Sequence, residues 1–202
     1  AIYMFAGCHL LSELKFGKIN TQKVENMTNL FTQCSMLNSI DLSNFDTSNV
    51  VDMSFMFIDC TQLFELDVSK FNTEKVVDMS YMFESCNSLT SLNVQNFRTG
   101  QVKYMTKMFE FLTLTSLDVS HFDTSNVISM LDMFAEMYNV EKLDVSGFNT
   151  GNVIDMAGMF YSCSKLKELK VSSFNTEKVE DFSYTFFGCN NLESLDVSSF
   201  RT

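Results

Sequence analysis

Apolar positions return along this chain at a fixed interval. A phenylalanine followed by a polar residue and threonine stands at Phe45, Phe71, Phe97, Phe122, Phe148, Phe174 and Phe200, and Ile19 takes the same place in the first copy. The intervals are 26 residues, with a single 25 between Phe97 and Phe122. A period in this range marks a solenoid, in which each repeat forms one coil that cannot bury its apolar face without neighbours.

Within one coil, Leu89-Thr90-Ser91-Leu92-Asn93-Val94 ends in an apolar–polar alternation that predicts a strand with one buried face. Stacked Leu-Asp-Val segments then give a parallel sheet with neighbours about 4.8 Å apart. Phe97 turns inward and Arg98-Thr99-Gly100-Gln101 makes a polar corner. Val102, Met105, Met108 and Phe109 follow at spacings of three, three and one, which predicts a short extended piece leading into a helical or 3-10 turn. Proline is absent and there are only 7 glycines, so Asn, Asp, Ser and Thr must shape the corners.

Two columns are identical in all eight copies. One is Phe5, Phe31, Phe57, Phe83, Phe109, Phe134, Phe160 and Phe186; the other is Thr21, Thr47, Thr73, Thr99, Thr124, Thr150, Thr176 and Thr202. Rings in register stack along the axis and form the spine of the core. The threonines invite an ice-binding reading, but one hydroxyl per coil is explained more simply as satisfying backbone groups of its own or the next coil. The 25-residue interval falls in the turn after Phe109, where the cysteine of other coils is missing and Phe111 or Leu112 fills the gap.

Charge narrows the functional classes. With 25 acidic and 14 basic residues the net charge is −11, which argues against nucleic acid and against docking on anionic lipid. No apolar run approaches the roughly 18 residues of a membrane span. The chain opens on Tyr3-Met4-Phe5-Ala6-Gly7-Cys8, matching the middle of a later repeat, and stops at Phe200-Arg201-Thr202, inside another. The expectation is a single array over residues 1–202 that forms a segment of a larger protein.

The phrases Leu66-Asp67-Val68-Ser69, Phe122-Asp123-Thr124-Ser125-Asn126-Val127 and Asp78-Met79-Ser80-Tyr81-Met82-Phe83 carry a resemblance across the whole chain. They resemble the bacterial surface protein repeat of about 26 residues, grouped with the BspA-like leucine-rich repeats of bacterial surface proteins and mollicute lipoproteins. The chain departs from that pattern in carrying Phe45 and its equivalents where the family often has Trp, and in Asn93 and Arg98. The resemblance implies cell-surface display and adhesion-type protein binding, and it brings no agreed binding residues. The fold expectation is a right-handed α/β solenoid of leucine-rich-repeat type, with one parallel sheet, short helical turns opposite and about eight coils. Its hand follows from the crossover rule for parallel strands.

Candidate chemistry is sparse. Cys8, Cys34, Cys60, Cys86, Cys163 and Cys189 share one register, with Met137 in the same column. That favours small buried fillers, while bridges between neighbouring coils stay geometrically open. No C-x-x-C or neighbouring histidine supports a metal, and no cofactor is expected. His9 and His121 sit in different registers, and no nucleophile elbow or phosphate loop appears, so the chain reads as non-enzymatic. The outward column Asp41, Asp67, Asp118, Asp144 and Asp196, interrupted by Lys15, Asn93 and Lys170, is either a solvated face or a surface for a basic partner. Positions out of step with the repeat are the other clue: Phe64 and Tyr138 foremost, with Met36, Tyr161 and Phe187. Taken together these predict a monomeric, extracellular, surface-displayed module that binds an extracellular or host protein. A spacer that projects another domain and a glycan-binding β-helix are the alternatives.

Overall fold

A computed structural model describes residues 1–201. Coil lies upon coil in parallel, joined by two ladders of backbone pairing. The first holds the short strands β1 (Ser39–Ile40) and β2 (Glu65–Leu66), in register Ser39 to Glu65 and Ile40 to Leu66, and continues through the bridges Ser116 to Lys142 to Glu168. The second links Asn26, Asp52, Asp78, Tyr104, Ser129, Asp155 and Asp181, one residue from each of seven successive coils.

This corrects two expectations. Pairing takes in only the first residue of the Leu-Asp-Val segment, at Ile40 and Leu66, so Asp41 and Asp67 follow their strands instead of lying on a sheet face. The helical turn is also absent, and no helix occurs among the described residues. In its place Met53, Phe55, Phe57 and Asp59 donate their N–H groups to Asp78, Ser80, Met82 and Glu84 of the next coil, at 2.8–3.0 Å. The N–H groups between them close tight turns within the coil: Met56 to Met53 O, Ile58 to Phe55 O and Cys60 to Phe57 O. A helix would use every amide internally; here every second amide is drawn to the next coil.

That alternation demands left-handed backbone at two sites per coil, such as Phe55 (φ 59°) and Asp59 (φ 58°). Glycine fills this role at Gly7, Gly158 and Gly188, while thirteen other residues adopt it with a side chain. Each of those costs about 1–2 kcal/mol, which the inter-coil bonds and the core must offset.

The core runs the length of the stack. The invariant phenylalanines lie ring over ring from Phe5 to Phe186, with centroids 5.5–6.0 Å apart and planes within 14° of parallel. Met, Val and Leu columns surround them, buried from Met27 through Phe174. Leu112, fully buried, takes the cysteine position in the shortened coil, and Met137 takes it in the next.

Asn and Asp make the corners, as the lack of proline predicts. Asp46, Asp52 and Asp67 illustrate the three corners: each carboxylate accepts the backbone N–H two residues on, from Ser48, Ser54 and Ser69, at 2.9–3.0 Å. Such side-chain turns set the chain direction without glycine. The threonine column is the strut between corners. Thr124 Oγ1 donates to Asn149 O at 2.9 Å and accepts from Asn149 N at 2.8 Å, and Thr47, Thr73 and Thr176 repeat this double contact with the next coil. Thr202 lies outside the described residues.

Candidate functional site

A surface that recurs in every coil is explained by stacking, so the repeat itself has to be subtracted first. The cysteines belong to the scaffold. All six are free thiols, and Cys34, Cys60, Cys86, Cys163 and Cys189 each donate Sγ–H to the carbonyl of the invariant phenylalanine one coil before, at 3.1–3.2 Å. Burial pushes the Cys34 thiol up to about 11 and raises Cys60, Cys86 and Cys163 further. A thiol held this way is a poor nucleophile.

The aspartate column also has a scaffold task. Asp41, Asp67, Asp118, Asp144 and Asp196 are exposed, and each accepts the N–H of the serine two residues later. The hydroxyl of that serine first, and its N–H second, hold all five carboxyls below the ordinary aspartate range. Asn93 makes the same turn with Gln95, so the charge is not needed for the geometry. Nor is the column uniformly acidic, since Asp144 shares a small depression with Lys142, Glu168 and Lys170. Phe64 is exposed beside β2, and it does not join the aspartates in any cavity.

Tyr138 leads elsewhere. Its hydroxyl is pushed up to about 12, first by a hydrogen bond to Glu136, with Tyr161 and Glu110 nearby. Glu136 lines an open depression of about 740 Å³ together with Glu110, Asp132, Tyr161, Asp181 and Tyr184. The depression sits on the turn segments that flank the invariant phenylalanine in the fifth to eighth coils.

Its electrostatics are lopsided. Lys107 Nζ reaches Glu110 at 3.2 Å (Oε1) and 3.1 Å (Oε2), and Asp132 Oδ2 at 3.4 Å. Glu110 is only 7% exposed, and its Oε2, though near that ammonium, accepts no hydrogen bond. Burial raises Glu110, and Lys107 only partly opposes it. In the adjacent coil burial pushes Glu84 up to about 7, with Glu110 and Asp59 adding repulsion. Aromatic residues form the other wall: Tyr161 stacks on Phe187 at 5.5 Å, and Tyr184 meets Tyr161 and Phe187 edge-on at 6.3 and 5.9 Å.

Gly158 completes the shape. It sits between Asp132 and Tyr184 in its column, with φ of 59°, and a Cβ there would lie 1.8 Å from Asp132 Oδ1. The Asp132 carboxylate leans into the space a side chain would fill. No group of His, Cys, Asp and Glu among the described residues could hold a metal ion.

Of the sequence candidates, the structure brings Tyr161 to this depression, ties Tyr138 to it only through Glu136, and leaves Phe64 and the aspartate column apart from it. Asp132, Glu136 and Tyr184 went unnoticed because the helical expectation gave their columns no common face. The available signal was the run of changing residues either side of the invariant phenylalanine.

Residues 2–114 and 87–200 match the family described as "Mycoplasma protein of unknown function, DUF285". No curated protein matches the chain. Among solved structures, the functional domain of InlJ from Listeria monocytogenes, described as including a cysteine ladder, is 17% identical. The alignment covers 81% of this chain and 49% of that one, so the chain spans about half that structure's length. The TM-score is 0.22.

Proposed function

For a chain that belongs to the family described as Mycoplasma protein of unknown function, DUF285, we propose a non-enzymatic protein-binding module of the adhesion type. It is displayed outside the cell as a monomeric segment and engages an extracellular or host protein. The stacked coils are read as a right-handed solenoid of the BspA-like leucine-rich-repeat kind. The observation that carries the binding reading is the aromatic group of half-buried Tyr161 with exposed Tyr184 and Phe187 at the edge of a carboxylate-lined depression, at positions the repeat leaves free to vary. Exposed aromatics packed on one another anchor interfaces because they bury large area at small entropic cost.

The experiment is surface capture. The immobilised chain is challenged with extracellular matrix and serum proteins, beside a variant carrying Asp41→Asn, Asp67→Asn, Asp118→Asn and Asp144→Asn. Saturable binding by the parent is expected. Asparagine preserves the turns, as Asn93 does, so any loss in the variant reports charge alone. A chain that binds nothing saturably is a spacer. That second reading draws on the second ladder, which pairs coil to coil from Asn26 to Asp181.

A further inference from the structure

The geometry points to the depression between Asp132 and Tyr184 as the receptor for a protonated lysine or arginine side chain of a basic protein partner, an inference that rests on the protein-binding reading above. Four carboxylates line it, those of Glu110, Asp132, Glu136 and Asp181, and no lysine or arginine is among the lining residues. The neighbouring Lys107 is already engaged between Glu110 and Asp132. That one ammonium faces four carboxylates, and Glu136 and Asp181 form no ion pair among the described residues, so an incoming cation offsets the excess of negative charge.

The opposite wall suits the same ligand. Tyr184 is 67% exposed, and with Tyr161 it offers aromatic faces to which an ammonium or guanidinium is attracted. The lack of a side chain at Gly158 lets the Asp132 carboxylate lean into the depression, where a cation can meet it. The depression is open and continues into exposed Phe187, so the aliphatic stem of a lysine or arginine lies against an apolar rim while its head reaches the acids. An anion would be repelled from this surface.

The test is a titration of the isotopically labelled chain, followed by NMR, with capped peptides of six lysines, six arginines or six acetyl-lysines, at about 0.15 M salt to damp long-range attraction. Tetramethylammonium serves as the free-cation probe, carrying charge but no N–H to donate. The basic peptides should shift the Gly158, Tyr161 and Tyr184 amides first, and the acetylated peptide should not. Asp132→Asn with Glu136→Gln should weaken binding about tenfold, and Tyr184→Ser, which leaves charge unchanged, about threefold. Glu74→Gln with Glu177→Gln removes the same charge from a distant corner and should cost less than about twofold.

Equal weakening by the two double variants, or an unaffected Tyr184→Ser, overturns the site. So does equal binding of the acetylated peptide. Tetramethylammonium binding as tightly as the peptides overturns the protein source of the cation. If Tyr184→Ser still captures an extracellular protein as the parent does, this inference fails while the proposed function stands. Peptide binding here with no protein captured has the reverse meaning.

Discussion

Glu84 is the residue at which repetition meets its electrostatic limit. It follows the invariant Phe83, Glu110 holds the same register one coil on, and stacking brings the two acids together. Burial first, then Glu110 and Asp59, pushes its carboxyl up to about 7, while Ser85 Oγ donates to Oε1 at 3.3 Å and relieves part of the strain. A carboxyl whose folded value lies above its unfolded one binds a proton on folding, so the folded state is favoured at low pH. Stability from this group should therefore fall as pH rises from its ordinary value of 4.5 to about 7. Glu84→Gln removes the penalty. The variant should exceed the parent by roughly 1–2 kcal/mol at alkaline pH, a figure reduced from the full shift because the group is partly exposed. Denaturant melts at three pH values decide this: the gain should vanish under acid conditions, and a gain independent of pH would rule out titration as its cause.

At the scale of one coil, the element is a ring of turns more than a strand or a helix. Its two ladders are short, and what fixes its outline is side-chain hydrogen bonding at three Asn/Asp corners and one threonine strut. Thr124 is a clear instance, because its hydroxyl serves both the N–H and the C=O of Asn149 in the next coil. Thr124→Val preserves shape and removes both contacts. It should cost about 1–3 kcal/mol, the range for leaving buried backbone groups without partners. Thr124→Ser keeps the oxygen and should recover most of the loss, as equilibrium unfolding would show. Equal losses for valine and serine would mean that the methyl group, not the hydroxyl, explains the column.

Across the whole molecule, each coil touches only its neighbours, so stability is a sum of coil and interface terms. The phenylalanine stack is where those interfaces are strongest. Phe109 packs between Phe83 and Phe134 at 6.0 and 5.7 Å and is fully buried. Phe109→Ala should cost about 3–5 kcal/mol. Phe5→Ala, whose ring is only partly buried against Phe31, should cost less than half as much. A fluorescence or circular dichroism melt distinguishes them, and equal costs would argue against a nearest-neighbour stack. The functional surface shares this dependence: the depression is assembled from the fifth to eighth coils, and no coil holds it alone.

Sequence by itself determined the period, the inward columns, the corner chemistry and the scaffold status of the threonines, because each recurs and recurrence under a fixed backbone repeat has one explanation. In the shortened coil the sequence leaves Phe111 or Leu112 for the cysteine's place, and the structure buries Leu112 there. The route between corners was not. Spacings of three, three and one suit a helical turn as well as alternating tight turns, and the choice turns on whether amides bond within the coil or to the next one. That choice needs the neighbouring coil in place. It shortened the pairing to the first residue of the Leu-Asp-Val segment, made the aspartates turn-formers, and set the columns beside the invariant phenylalanine on one face. Only the tertiary structure could bring Asp132, Glu136 and Tyr184 together, because residues 25 or 26 apart become neighbours through stacking alone.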